Sequence, residues 1–332
     1  MKQKVNIKII IYGLALPILF FSLFIGPSEN ISVLSGFKYL LQYLSGKAND
    51  PFFNVILFQV RLPRILIAFL VGGALSISGN SLQAIFRNPL VSPYILGLSS
   101  GAAFGAALAM ALTFLPVQLS AFIFGFLAVI MSYFAARKHK EVSIVSLILS
   151  GVIVTGIFTA LLTVVQFMSD PFKLQSIVHW TMGKLQNASW QSFYSMIIPL
   201  SAGVVAMILL RWRLNVFALG DEEAKSSGLN PERGKIIILL AATLASSAAV
   251  AVAGVIGLYG LIVPHMVRMM VGPDNRHSTL LNFVFGGTFL LIIDNFSRTI
   301  AAFEIPIGVI TMLLGAPFFF YLMKKNKIGW EN

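Results

Sequence analysis

The residues that could carry chemistry are few and widely spaced. Of 332 residues, 24 are Lys or Arg, 12 are Asp or Glu, four are His and none is Cys. Without thiols there are no disulfides, thiolate metal sites or haem attachments. The sequence contains no HExxH, no GxSxG, no GxxxxGK[ST] phosphate loop and no pair of nearby carboxylates inside an apolar run. It therefore offers no hydrolytic centre and no ATP site of its own. Asp294 and His265 are the ionisable residues that come closest to the middle of an apolar segment. Each reads first as a polar residue near a helix end, hydrogen-bonded locally. Carriers that move protons place carboxylates or His at mid-membrane, so the sequence speaks against a self-contained proton relay.

These residues sit in a chain that is 57% hydrophobic and 11% charged, with a mean hydropathy of +0.86. Soluble domains are about 25% charged, which excludes a cytosolic enzyme and a disordered acidic protein. The net charge of +12 does not indicate nucleic acid, because the basic residues fall in short clusters between apolar runs, as in membrane proteins with basic cytoplasmic loops. A bilayer core of about 30 Å takes about 20 helical residues. On that measure spans are expected at 7–26, 64–85, 93–113, 117–136, 143–168, 190–210, 236–254, 255–271, 279–297 and 305–323. Ile236 to Val271 as one helix would be about 54 Å long, so it is divided near Gly254 to Gly257. The long stretch from Gly101 to Ala136 is divided at Leu115-Pro116.

Charge fixes the parity. With ten spans both termini share a side with the clusters Lys2/Lys4/Lys8, Arg137/Lys138/Lys140, Arg211/Arg213, Arg233/Lys235 and Lys324/Lys325/Lys327. The other side keeps Lys38, Lys47, Arg61, Arg64, Lys173, Lys184 and Arg298. The richer side is cytoplasmic, so both termini are expected there. The first apolar run, Ile7 to Ile25, meets Gly26-Pro27 without a small-x-small cleavage site and is expected to be retained. Segments 27–60 and 169–189 lie on the other side and suit short amphipathic surface helices. The chain reads as one all-α, polytopic transmembrane domain, 1–332.

Small residues have their first reading in helix packing. They include Gly97, Gly101 and Gly105, then Gly72, Ser76, Ser78 and Gly79, then Ser150, Gly151, Thr155 and Gly156. The last group also suits a weakly polar path. The loop 212–235 is more defined than a solvated linker needs to be. Asp221, Glu222 and Glu223 follow Gly220, where a helix N-terminus favours carboxylates. Ser226, Ser227 and Gly228 suit its end, and Asn230-Pro231 reads as the cap and first residue of the next helix. A short surface helix of this kind suits docking to another protein.

Several stretches taken together resemble the permease subunits of ABC importers for iron–siderophores, haem and cobalamin, the FecCD-type or type II importer family. They are Arg61-Leu-Pro-Arg64, Gly79 to Leu90, Leu96 to Ala102, Ala218 to Ala224 ahead of Gly228-Leu229, Gly254 to Arg268, and Ile305 to Phe318. They keep the family order across nearly the whole chain. The resemblance implies a ten-span type II fold and a homodimer around a central path. It also implies two ATP-binding subunits on the cytoplasmic side, where ATP and Mg would be bound, and an extracytoplasmic substrate-binding protein. The chain itself would bind no cofactor and no metal, and its surroundings would be the lipid of the cytoplasmic (inner) membrane. By the same resemblance Ala218, Leu219, Gly220, Asp221, Glu222, Glu223, Ala224, Gly228 and Leu229 match the helix that couples to the ATPase. Arg61, Arg64 and Arg298 match basic residues that pair with carboxylates of the binding protein; as plain residues they would be interfacial anchors. Asn88, Pro89 and Leu90, with Ser143 and Ile144, match the inner gate region.

The mechanism implied by this resemblance is alternating access driven by a partner's ATP hydrolysis, with selectivity residing mostly in the binding protein. The expected cargo is a metal chelate, iron–siderophore first, then haem or cobalamin. An oxyanion such as molybdate is the alternative within the same architecture. A stand-alone carrier or channel would show mid-membrane charge or a filter motif, and an intramembrane enzyme a catalytic constellation; the sequence shows none of these.

Overall fold

The structure, a computed structural model, describes residues 2–26, 33–46, 50–113, 115–138 and 141–325. Lys47, Lys140 and Lys327 of the charge pattern lie outside the described residues. The helices in chain order are α1 (Lys2–Ser22), α2 (Val33–Leu44), α3 (Pro51–Asn54), α4 (Leu62–Ile85), α5 (Leu98–Leu112), α6 (Val117–Ala136), α7 (Ile144–Met168), α8 (Pro171–Thr181), α9 (Trp190–Leu209), α10 (Arg211–Leu219), α11 (Asp221–Ser226), α12 (Pro231–Ala253), α13 (Tyr259–Val271), α14 (Asn275–Ser297) and α15 (Ile307–Lys325). A π-helical stretch, Val55–Arg61, joins α3 to α4, and a two-residue antiparallel pairing, Arg137–Lys138 with Glu141–Val142, precedes α7.

Six of these helical segments are long and apolar enough to cross a membrane, and four shorter apolar ones, in α1, α5, α13 and α15, accompany them. Together they fall on the ten expected spans. The break inside 236–271 is where the glycines placed it: α12 stops at Ala253, Gly254 takes φ +71°, and helix resumes at Tyr259. The third span needs correction, because α5 begins at Leu98 and not near residue 93. Ser92 to Gly97 close on themselves through bonds three residues apart, and Gly97 at φ +86° ends that turn. A right-handed helix cannot continue through a left-handed residue. The surface segments hold α2, α3 and α8, as expected of amphipathic stretches. The reading of 212–235 missed α10, which makes that loop mostly helical.

At the centre runs α4, about 36 Å long at 1.5 Å per residue. It is buried on almost every side by α14, α12, α13 and α9. Small residues make this possible. Gly72 faces the Gly286 carbonyl on α14, and Gly79 faces the Gly260 backbone at the start of α13; a methyl group at either position would overlap that backbone. Gly101 and Gly105 meet the Phe124 and Ser120 carbonyls of α6 in the same way. Where apolar lipid offers no hydrophobic drive, such close backbone approach supplies the packing energy. Ser150 and Gly151 are also spent on packing, against Ser132 and Ile95, while Gly156 is exposed.

α4 and α14 run antiparallel, which gives the pair two distinct ends. Arg64 and Asp294 mark one end, and Asn80 and Asn275 mark the other. Polar side chains stitch the pair between them: Ser76 Oγ donates to Asn282 Oδ1 at 2.9 Å, and Asn80 Nδ2 donates to Asn275 Oδ1 at 3.0 Å.

Candidate functional site

The loop end is built around α11. Its six residues end in a Schellman motif: Leu229 N–H donates to Ala224 O, Gly228 N–H donates to Lys225 O, and Gly228 has φ +76°. Glycine accepts that left-handed geometry without a Cβ penalty. α12 then starts from Asn230, whose Oδ1 accepts the Arg233 N–H at 3.0 Å, with Pro231 as first helical residue. An ion pair and a buried side chain hold α11 to its neighbours, and a ring contact joins the flanking helices α10 and α12. Lys235 Nζ meets Asp221 Oδ2 at 2.6 Å. Ala224 is fully buried. The ring of Phe217, on α10, lies against Gly234, where a Cβ would overlap it. Gly220 is buried at the α10–α11 junction, and Leu229 is half-buried.

A small helix of fixed orientation results, with a defined outer edge. Ala218, Leu219, Glu222, Glu223 and Gly228 are exposed, and Leu219 is 69% exposed, an apolar side chain presented beside carboxylates. Of the sequence-expected coupling residues, then, Gly220, Asp221, Ala224 and Leu229 hold the helix in place, and Ala218, Leu219, Glu222, Glu223 and Gly228 are exposed. Lys225 pairs with Glu222 at 2.8 Å along that surface.

α10 ties this unit to the bundle, a link the sequence reading did not find. Asn215 Oδ1 accepts the Asn275 N–H at 2.7 Å, and its Nδ2 donates to Asp274 Oδ1 at 2.7 Å. Asp274 caps α14, and its carboxyl is held well below the ordinary range, first by the hydrogen bonds from the Arg276 side chain. Asn275 in turn reaches Asn80 on α4. A chain of amides therefore runs from α10 through the start of α14 to the central helix. Nothing in local sequence pattern marks Asn215, because its partners are about 60 residues away.

Next to this chain lies the turn after α4. Arg87 adopts φ +49°, and Asn88 Oδ1 accepts the Leu90 N–H at 2.8 Å, a turn closed by its own side chain. Arg87, Asn88 and Pro89 line a cavity of about 240 Å³ together with Ala218 of the coupling segment and Asn80 and Gln83 of α4. The structure thus brings Asn88 and Pro89 of the expected gate region against the expected coupling segment. Ser143 and Ile144 are not among the residues lining that cavity; Ser143 caps α7 by accepting the Ser146 N–H at 3.0 Å.

The opposite end gathers Arg61, Arg64 and Arg298, the residues matched to binding-protein contacts, and here all three guanidinium groups are engaged within the chain. They are 4%, 7% and 2% exposed. Arg64 is engaged on both edges: Nε and Nη2 donate to Asp294 at 3.1 and 2.8 Å, while Nη1 and Nη2 donate to the two oxygens of Glu304 at 2.9 Å. Arg298 stands 3.6 Å from Asp294. Its Nη2 donates to Ser22 O, and Arg61 Nη1 donates to Leu23 O at 3.1 Å. The two arginines thus sit on carbonyls that close α1, the negative end of that helix. Burying a guanidinium is costly unless it is paired, and Asp294, Glu304 and the α1 carbonyls supply the pairing. Asp294 is wholly buried, so it is the centre of an interhelical network and not a locally satisfied helix-end residue. The i, i+4 spacing of Asp294 and Arg298 carried part of that signal. Beyond Arg64 the end opens into a cavity of about 330 Å³ edged by His179, Lys184, Gln186 and Glu304. Among the described residues no cluster of His, Asp or Glu is arranged to hold a metal.

Comparison with known proteins agrees with this arrangement. The FecCD transport family matches residues 14–325. The chain is 40% identical over 288 residues to the molybdate import system permease of Haemophilus influenzae, covering 85% of each protein. It is 38% identical over 274 residues to a Helicobacter pylori protein named as a probable iron chelatin transport system permease, covering 82% of this chain and 84% of that one. Among solved structures it is similar to a metal-chelate type ABC transporter in an inward-facing conformation, with a TM-score of 0.84 and 35% identity over 97% of this chain and 99% of that one.

Proposed function

The chain belongs to the FecCD transport family and is a multi-pass ABC permease; from that premise we propose that it forms the membrane path of an ATP-driven importer for a metal chelate. Two copies would enclose the path. An ATP-binding subunit would dock under each copy at α11, and a substrate-loaded binding protein would dock at the arginine end. The orientation follows the charge asymmetry, with both termini and α11 in the cytoplasm. ATP and Mg would be bound by the partner subunits.

The observation that carries this reading is α11 itself. It is capped at its C-terminus and pinned through Asp221 to Lys235, and Leu219, the last residue of α10, stands exposed beside it. A helix held this firmly at the surface can deliver a push from a partner to α10 and, through Asn215, to α14 and α4. At the other end the arginines shape the docking face by fixing α1, α4 and α14 together, and the half-buried Glu304 and Lys184 lie at its edge.

A metal chelate is the favoured cargo because the similarity to the metal-chelate transporter spans nearly the whole of both chains. The molybdate reading rests on the Haemophilus relative, which is as similar as the iron-chelate one. The test is purification from the native membrane with identification of co-purifying chains and an ATPase assay. The reading expects a stoichiometric ATP-binding subunit with hydrolysis, lost in Leu219→Asp while the permease remains folded. A wild-type chain that stays alone and without nucleotide hydrolysis, under conditions that preserve such complexes, would overturn it.

A further inference from the structure

The cavity beside the coupling segment has a chemistry of its own. Its polar lining consists of the guanidinium groups of Arg87 and Arg268 and the amides of Asn80, Gln83, Asn88 and Asn275. Among the described residues that line it none is a carboxylate, so it carries two positive charges with nothing inside to balance them. Arg268 is engaged on one side by Gln83, to which its Nη2 donates. Among the described residues the Arg87 side chain has no hydrogen-bond or ion-pair partner. It is exposed, and its backbone is held at φ +49°, a left-handed conformation that is unfavourable for a residue with a Cβ. Glu223 Oε2 and Arg87 Nη1 both lie beside Gly220 without closing an ion pair, so the one carboxylate near Arg87 there stands outside the cavity lining. An unpaired arginine kept in a strained turn, opposite a second arginine, is an arrangement poised for an anion.

We propose that this cavity receives a carboxylate side chain of the ATP-binding subunit, held between Arg87 and Arg268. The inference rests on the permease reading above and adds to it a second anchor besides α11. The occupant is set by position and size. Ala218, one residue before the exposed Leu219, forms part of the cavity wall, so a protein seated on α11 has its surface at the cavity mouth. A volume of about 240 Å³ admits one acidic side chain. The consequence is mechanical. Arg87 is joined directly to Asn88-Pro89, so an acidic group bound there would pull the turn after α4 as well as α10. Both halves of the loop end would then move with the partner.

The test measures affinity between the permease in nanodiscs and the ATP-binding subunit that co-purifies with it, for wild type, Arg87→Lys, Arg87→Gln and Arg87→Glu. The expected result is a loss of about tenfold for Arg87→Glu at low salt, a smaller loss for Arg87→Gln, retention in Arg87→Lys, and a shallower salt dependence in the weakened variants. Thermal stability should not change, because the Arg87 side chain makes no internal bond. Equal affinity and equal salt dependence in wild type and Arg87→Glu would overturn the proposal while leaving the permease reading intact. A wild-type chain that binds no ATP-binding subunit would overturn both. Repeating the series with and without phosphatidylglycerol separates the remaining source of anion: an Arg87→Glu defect that exists only with the anionic lipid would assign the cavity to a lipid headgroup and overturn the protein partner.

Discussion

At the scale of single residues, the burial of Arg64 and Asp294 changes what these groups can do. A guanidinium bridging two carboxylates across α4, α14 and the segment before α15 is a tie between elements. Removing one partner of a buried ion pair leaves an uncompensated charge and costs about 3–5 kcal/mol, whereas replacing both with apolar residues is often neutral. Arg64→Met should therefore lower the thermal transition markedly, and Arg64→Met with Asp294→Leu should recover only part of the loss, because Arg298 then loses its carboxylate and Glu304 stays without Arg64. Thermal denaturation in detergent with a fluorescent reporter reads both. A single variant as stable as wild type would show that Asp294 is satisfied by Arg298 alone. Sequence reading found these positions but not the ion pairs that engage them within the chain. Arg61, Arg64 and Arg298 could be placed at a helix end, but whether they face outward depends on Glu304, 240 positions from Arg64. No local pattern carries that pairing.

The elements were more legible than their contacts. Gly228 and Asn230-Pro231 marked the end of α11 and the start of α12, because a left-handed cap and a side-chain cap are local chemistry. The glycines at 254 and 257 divided an apolar run too long for one crossing. The start of α5 was placed too early because Tyr94, Ile95 and Leu96 of the Ser92–Gly97 turn extend the apolar run, and α10 was missed because it carries no apolar stripe long enough to stand out. The amide link at Asn215 belongs to this scale, since it makes α10 move with α14. Asn215→Ala removes two hydrogen bonds and leaves the Asp274–Arg276 contact in place. In reconstituted complexes it should keep most ATP hydrolysis and lose several-fold in transport per ATP, and Asn215→Gln should not rescue it because the fork is displaced. Unchanged transport per ATP would remove α10 from the transmission route.

For the whole molecule, the antiparallel α4–α14 core joins an end rich in arginine ties to an end where α10, α11 and the turn after α4 converge. In the proposed orientation these ends lie on opposite faces of a bilayer, with α11 on the cytoplasmic face. Tags at residue 139 and at residue 180 should be modified from opposite sides of the membrane; labelling of both from outside would contradict that arrangement. The central claim is that this path moves a metal chelate using a partner's ATP hydrolysis. Its most direct test is uptake into proteoliposomes containing the permease and its ATP-binding subunit, supplied with the cognate binding protein and either a ferric siderophore or molybdate. The account predicts accumulation of the iron chelate that requires internal ATP and is lost in Leu219→Asp. ATP-driven accumulation of molybdate without iron chelate would contradict the cargo, and uptake that needs no ATP would contradict the importer.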